Sequence, residues 1–69
     1  MTFRIELERE DDGRWLAAIP DVPGALSYGI TSDAAVAGVR ALALRVLADR
    51  LEHGEEVPEV IDKLFAVGS

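Results

Sequence analysis

Between Ile19 and Thr31 the chain carries Pro20, Pro23, Gly24 and Gly29 within thirteen residues. That density of backbone punctuation limits what the chain can become. Neither proline can donate to a sheet ladder, so a strand arriving at Ile19 must end there. Glycine readily takes backbone conformations closed to other residues, and threonine is a preferred helix N-cap. The stretch therefore turns the chain out of a strand, and a helix starts soon after it.

Upstream, Phe3, Ile5 and Leu7 alternate with Arg4, Glu6 and Glu8. This period of two predicts a half-buried strand over about 3–9. Glu10-Asp11-Asp12-Gly13 ends in Asp-Gly, a hairpin signal, and the spacing predicts a return strand over about 14–19. Trp15, Ala17 and Ile19 share one face of that strand and Leu16 and Ala18 the other. Apolar residues on both faces predict a central strand. A short third strand is expected over about 25–29.

Thr31 caps a helix expected over about 32–53, with Asp33 in its first turn complementing the dipole. Gly54 suits the left-handed residue just past a helix end, and His53 fits as a structural cap there. Ala35, Val39, Leu42 and Val46 form one apolar stripe, which Val36, Ala43, Leu47 and Leu51 widen. Gly38, costing about 1 kcal/mol relative to alanine in a helix, suggests close approach to a neighbour. The tail reads two ways. Val57, Val60, Ile61, Leu64 and Phe65 fit helical spacing, whereas Pro58 and Leu64-Phe65-Ala66-Val67 fit a turn and a strand over about 63–67. The strand is preferred, lying parallel to the first strand after a right-handed crossover.

The expectation is thus an α+β domain of β-β-β-α-β order: a three-stranded antiparallel meander, a long helix on one face, and a fourth strand. Leu16, Ala18 and Tyr28 would occupy the other face, with nothing left in 69 residues to cover it. A chain this short buries roughly 60% of its unfolded surface. Cysteine is absent, so disulfides cannot reinforce it, and a homodimer or higher homo-oligomer is expected.

Catalysis finds little support in the residues. One histidine, no cysteine and scattered serines (Ser27, Ser32, Ser69) make no nucleophilic constellation. Glu6, Glu8 and Asp21 could be imagined around magnesium, but Glu6 and Glu8 read more simply as the solvent side of a strand. Gly24 and Gly29 lack phosphate-loop spacing. Neither a cofactor nor a metal is expected. A formal charge of −6 disfavours direct nucleic-acid binding and favours a basic partner. With no secretory signal and no long uncharged apolar run, the expected setting is cytoplasmic, without a membrane span.

Glu8-x-x-Asp11-Asp12-Gly13-Arg14-Trp15-Leu16-Ala17, then Ile19-Pro20-Asp21-Val22-Pro23-Gly24, then Tyr28-Gly29-x-Thr31 and an alanine-rich helix, resemble the HicB family of antitoxins. Leu51-Glu52-His53-Gly54-Glu55 extends the resemblance through nearly the whole chain. The resemblance implies a partial RNase-H-like fold without nuclease activity, and a HicA-like toxin that cleaves mRNA as the partner. Longer members add a C-terminal DNA-binding domain, for which residues 1–69 leave no room. Ala25, Ile30 and Ala34 stand where many members are more polar or carry cysteine, making this surface more apolar. A stand-alone oligomeric scaffold of the same fold is the alternative.

Candidate partner-binding residues are Asp21, Val22, Pro23 and Tyr28, with Asp11 and Asp12 behind them. Prolines lower the ordering cost of binding by stiffening the backbone. Pro20, Gly24, Gly29, Thr31 and Gly54 are assigned to architecture.

Overall fold

The computed structural model describes residues 2–68. Three strands, β1 (Glu6–Arg9), β2 (Trp15–Ala18) and β3 (Leu26–Gly29), precede a helix, α1 (Ser32–Glu52), and a short helix, α2 (Glu59–Asp62). The strands form an antiparallel sheet in the order β1-β2-β3. This is a small α+β fold with β2 at the centre. Each strand is shorter than expected: β1 starts at Glu6 and not Phe3, β2 omits Arg14 and Ile19, and β3 starts at Leu26.

The hairpin between β1 and β2 closes through Glu10 and Gly13. Gly13 donates to the Glu10 carbonyl at 2.9 Å and the Glu10 N–H donates to Arg14 at 2.7 Å. Gly13 has φ 90°, a left-handed backbone that favours glycine.

Between β2 and β3 the chain makes two turns in succession. Val22 donates to the Ile19 carbonyl at 3.0 Å, and Ala25 donates to the Val22 carbonyl at 2.9 Å. Pro23 and Gly24 are the central pair of the second turn. Gly24 takes φ 91°, as a type II turn demands at that position. Val22 is the residue shared by both turns, and its side chain is fully buried.

α1 begins where Thr31 accepts a hydrogen bond from the Ala34 N–H at 3.0 Å. It ends in a Schellman arrangement: Glu55 donates to the Arg50 carbonyl at 2.8 Å and Gly54 to the Leu51 carbonyl at 3.2 Å, with Gly54 at φ 69°. Thr31→Ala removes the N-cap acceptor and should cost about 1 kcal/mol. In a domain of this size that lowers the melting temperature by roughly 4–8 °C, readable by circular dichroism.

The helix lies over β3 and β2. Its buried residues are Ala35, Val39, Ala43 and Leu47, a single row at i, i+4 spacing. Leu42 and Val46 are only half-buried and Leu51 is exposed, so the predicted stripe is narrower and rotated. Small residues set the approach. A β-carbon on Gly29 would press on the backbone of Ala35, and one on Gly38 would lie 2.5 Å from the Ser27 hydroxyl. Ala17, Ile19, Val22, Ala25 and Ile61 complete the core.

The expected fourth strand over 63–67 is not formed. Residues 59–62 make α2 instead, and Lys63 and Leu64 close it by donating to the Val60 and Ile61 carbonyls, each at 3.1 Å. The helical spacing of Val57, Val60 and Ile61 prevails because one turn of helix lets Ile61 reach the core. Leu64, Phe65 and Val67 are left exposed.

Candidate functional site

Strand register decides which residues share a face. Residues directly opposite one another point the same way, and successive residues alternate. Leu7, Ala17 and Ser27 form one row beneath α1, and Arg9, Trp15 and Gly29 another. The opposite face carries the rows Glu6, Ala18, Leu26 and Glu8, Leu16, Tyr28. No element of the described chain covers that face. Leu26 is 49% exposed and Tyr28 47%, so the surface is an apolar strip bordered along β1 by two carboxylates.

Arg14 closes the hairpin end of this strip. Its guanidinium sits 4.6 Å from the centre of the Tyr28 ring, within cation–π range. Asp12 holds Arg14 in place, accepting from its Nε at 2.7 Å and from its backbone N–H at 3.0 Å. The structure thus brings Asp12 and Tyr28 together through a residue that sequence reasoning did not single out. Asp11 lies exposed in the same turn. The backbone N–H of Arg14, then its guanidinium, lower the Asp12 pKa from the ordinary 3.8. The carboxylate's contribution to folding is therefore complete above 3.8 and disappears as pH falls through the lowered value. A carbon-detected NMR titration should place the Asp12 midpoint below 3.8. Arg14→Gln should return it only part of the way, because the backbone donor persists.

Asp21 and Pro23 lie at the other end of the sheet, apart from Tyr28. Arg50 donates to the Pro23 carbonyl at 3.2 Å, tying the double turn to the end of α1. Asp21 and Arg50 line an open cleft of about 590 Å³ with Glu55, Glu56 and Glu59. Four carboxylates around one guanidinium leave this cleft acidic. Val22, expected to face a partner, has no exposed surface. Its side chain serves the core, because the two turns on either side fold it inward. The candidates therefore divide into a sheet surface with Tyr28 and Asp12, and an acidic cleft with Asp21 and Pro23.

The structural assignments of the remaining residues have direct causes. Thr31 caps α1, Gly24 and Gly54 supply left-handed backbone, Pro20 helps form the first turn, and Gly29 admits the helix. Leu26 and Arg14 belong to the open face yet were missed. The alternation of β3 through Tyr28 carries the signal for Leu26, and that of β2 through Leu16 carries the signal for Arg14.

Among the described residues, Asp49, His53 and Glu55 offer ligand atoms within 4.8 Å of one another. All three are exposed, and the His53 Nδ1 already faces the Asp49 carbonyl at 2.7 Å, as helix capping requires. Glu6, Glu8 and Asp21 are not brought together in such a group. No helix among the described residues is long and apolar enough to cross a membrane.

Fold and surface together define a small α+β domain that leaves one sheet face open. Comparison with family models, curated proteins and solved structures finds no match to this chain.

Proposed function

We propose that the chain is a HicB-like antitoxin that binds and neutralises a HicA-type mRNA-cleaving toxin, acting in the cytoplasm without catalysis of its own. The observation that carries this reading is the open sheet face, with half-exposed Leu26 and Tyr28 beside Glu6 and Glu8. An apolar strip gives a partner area to bury, and bordering carboxylates suit the basic surface of an RNA-binding protein. Complementary charge also speeds encounter and discourages wrong partners. The net charge of −6 acts in the same direction. Support from the sequence comes from the ordered Pro-Asp-Val-Pro-Gly and Tyr-Gly-x-Thr segments.

The test is co-expression with a small basic protein encoded beside this gene. Co-purification and rescue of toxin-arrested growth are expected. Leu26→Asp and Tyr28→Asp should each abolish rescue while leaving the helical circular dichroism intact. Failure of the unmodified chain both to co-purify and to rescue would remove the antitoxin role.

A stand-alone oligomeric binding or scaffold protein is the second reading. The exposed Leu64, Phe65 and Val67 favour it, since apolar side chains left in water mark association surfaces. A genome with no small basic reading frame beside this gene would support it over the first.

A further inference from the structure

α1 is offset on the sheet. Because it packs on β3 and β2, the β1 side of the helix-facing surface is poorly covered. A groove of about 350 Å³ opens there beside the residues leading into β1, lined by the apolar Phe3, Ile5, Ile19, Leu44 and Leu47 together with Thr2 and Arg40. Leu7 and Leu44 remain 45% and 68% exposed. Among the described residues β1 pairs with β2 alone, so its outer edge presents unpaired backbone groups ready to accept another strand.

The same chain holds a segment of the kind this edge lacks. Leu64, Phe65, Ala66 and Val67 follow α2 in irregular conformation. Phe65 is 74% exposed and Val67 102%. In an extended segment Phe65 and Val67 would point to one side and Leu64 and Ala66 to the other. Laid along β1, the first pair would enter the groove. The second would lie outside Glu6 and Glu8, beyond the apolar strip of the open face.

The segment does not lie on its own β1. Ile61 is anchored in the core, and the bonds from Lys63 and Leu64 to the Val60 and Ile61 carbonyls close the turn before it. The molecule extends 52 Å along its long axis, well beyond the roughly 31 Å of a helix the length of α1.

We propose that residues 64–67 of one chain pair as a strand along the free edge of β1 and the residues leading into it in a second copy, with Phe65 and Val67 seated in the groove. The exchange is reciprocal, so a two-fold dimer contains every contact twice. The occupant is a second copy because groove, open edge and matching segment all belong to one sequence. This dimer uses a surface distinct from the open sheet face and does not rest on the antitoxin reading.

Sedimentation velocity of the full chain tests it. A dimer is expected at sub-millimolar concentration. The double variant Phe65→Asp with Val67→Asp should raise the dissociation constant about 30-fold or more, as for loss of an interface hot spot. Leu26→Asp, on the other face, should leave the dimer intact. In an equal mixture of isotope-labelled and unlabelled chains, filtered NMR should show contacts between Phe65 or Val67 of one copy and Phe3, Ile5 or Leu44 of the other. Three results would overturn the proposal: a monomeric full chain, contacts confined to one chain, or a dimer that yields to Leu26→Asp but not to the double variant.

Discussion

Gly29→Ala is expected to remove a large share of the protein's stability. The added β-carbon would press on the Ala35 nitrogen and lie 2.9 Å from the Ala34 carbonyl carbon and the Ala35 α-carbon. These are backbone atoms in the first turn of α1, so no side-chain rotation relieves the contact. Overpacking against movable neighbours costs about 1–3 kcal/mol. Against fixed backbone the cost should reach the top of that range or exceed it. A domain of this length has roughly 3–10 kcal/mol to lose. Gly38→Ala provides the contrast. Its β-carbon would meet the Ser27 hydroxyl at 2.5 Å, an atom that can rotate away, and alanine regains about 1 kcal/mol of helix propensity. Thermal denaturation by circular dichroism should show a cooperative transition for Gly38→Ala close to the unmodified protein's, and a midpoint lowered by roughly 12–24 °C for Gly29→Ala. Equal melting temperatures for Gly29→Ala and the unmodified chain would refute the close-approach account.

Val22→Asp should be comparably damaging, although the residue sits in a segment that looks like a surface loop. Its side chain has no exposed surface and lies among Ile19, Ala25 and the residues of α1. A carboxylate there would be buried without a charged partner, a loss of several kcal/mol unless it takes up a proton. Val22→Ala, which only removes methyl groups, should cost about 1–3 kcal/mol, between typical Ile→Val and Leu→Ala changes. Asp21→Ala, one position away and exposed, should change stability by less than about 0.5 kcal/mol. Urea unfolding of the three variants checks the order. A Val22→Asp protein as stable as Asp21→Ala would return Val22 to the surface.

Much of the fold could be read from local chemistry. Asp12-Gly13 marked the hairpin, Thr31 and Gly54 marked the ends of the helix, and alternation placed three strands in a meander. Each signal acts over a few residues, where backbone preference and side-chain type agree. Misreadings arose where tertiary packing chose between two acceptable local answers. Val57 to Val67 fits a helical turn or a strand, and the space available to Ile61 favoured the helix. Val22 was misplaced because alternation cannot be carried through two successive turns. The shift of the helix stripe to Ala35, Val39, Ala43 and Leu47 follows from the small residues Gly29, Ser27 and Gly38, whose effect requires knowing which elements meet. At the candidate site, Tyr28 was legible from its strand. Its contact with Arg14, and Asp12's hold on Arg14, emerged only once the strands were in register.

The order β1-β2-β3 has a kinetic consequence. Every strand pairs with its neighbour in the chain, and α1 packs first of all on β3, the strand just before it. The side-chain hydrogen bond from Arg50 to Pro23 spans 27 positions, the longest reach among those described. Such a chain closes no large loop before its first contacts form, which places its folding between the microseconds of helical bundles and the seconds of all-β barrels. A newly made copy can thus reach its native arrangement far sooner than a ribosome, adding about 5–20 residues per second, completes the next one.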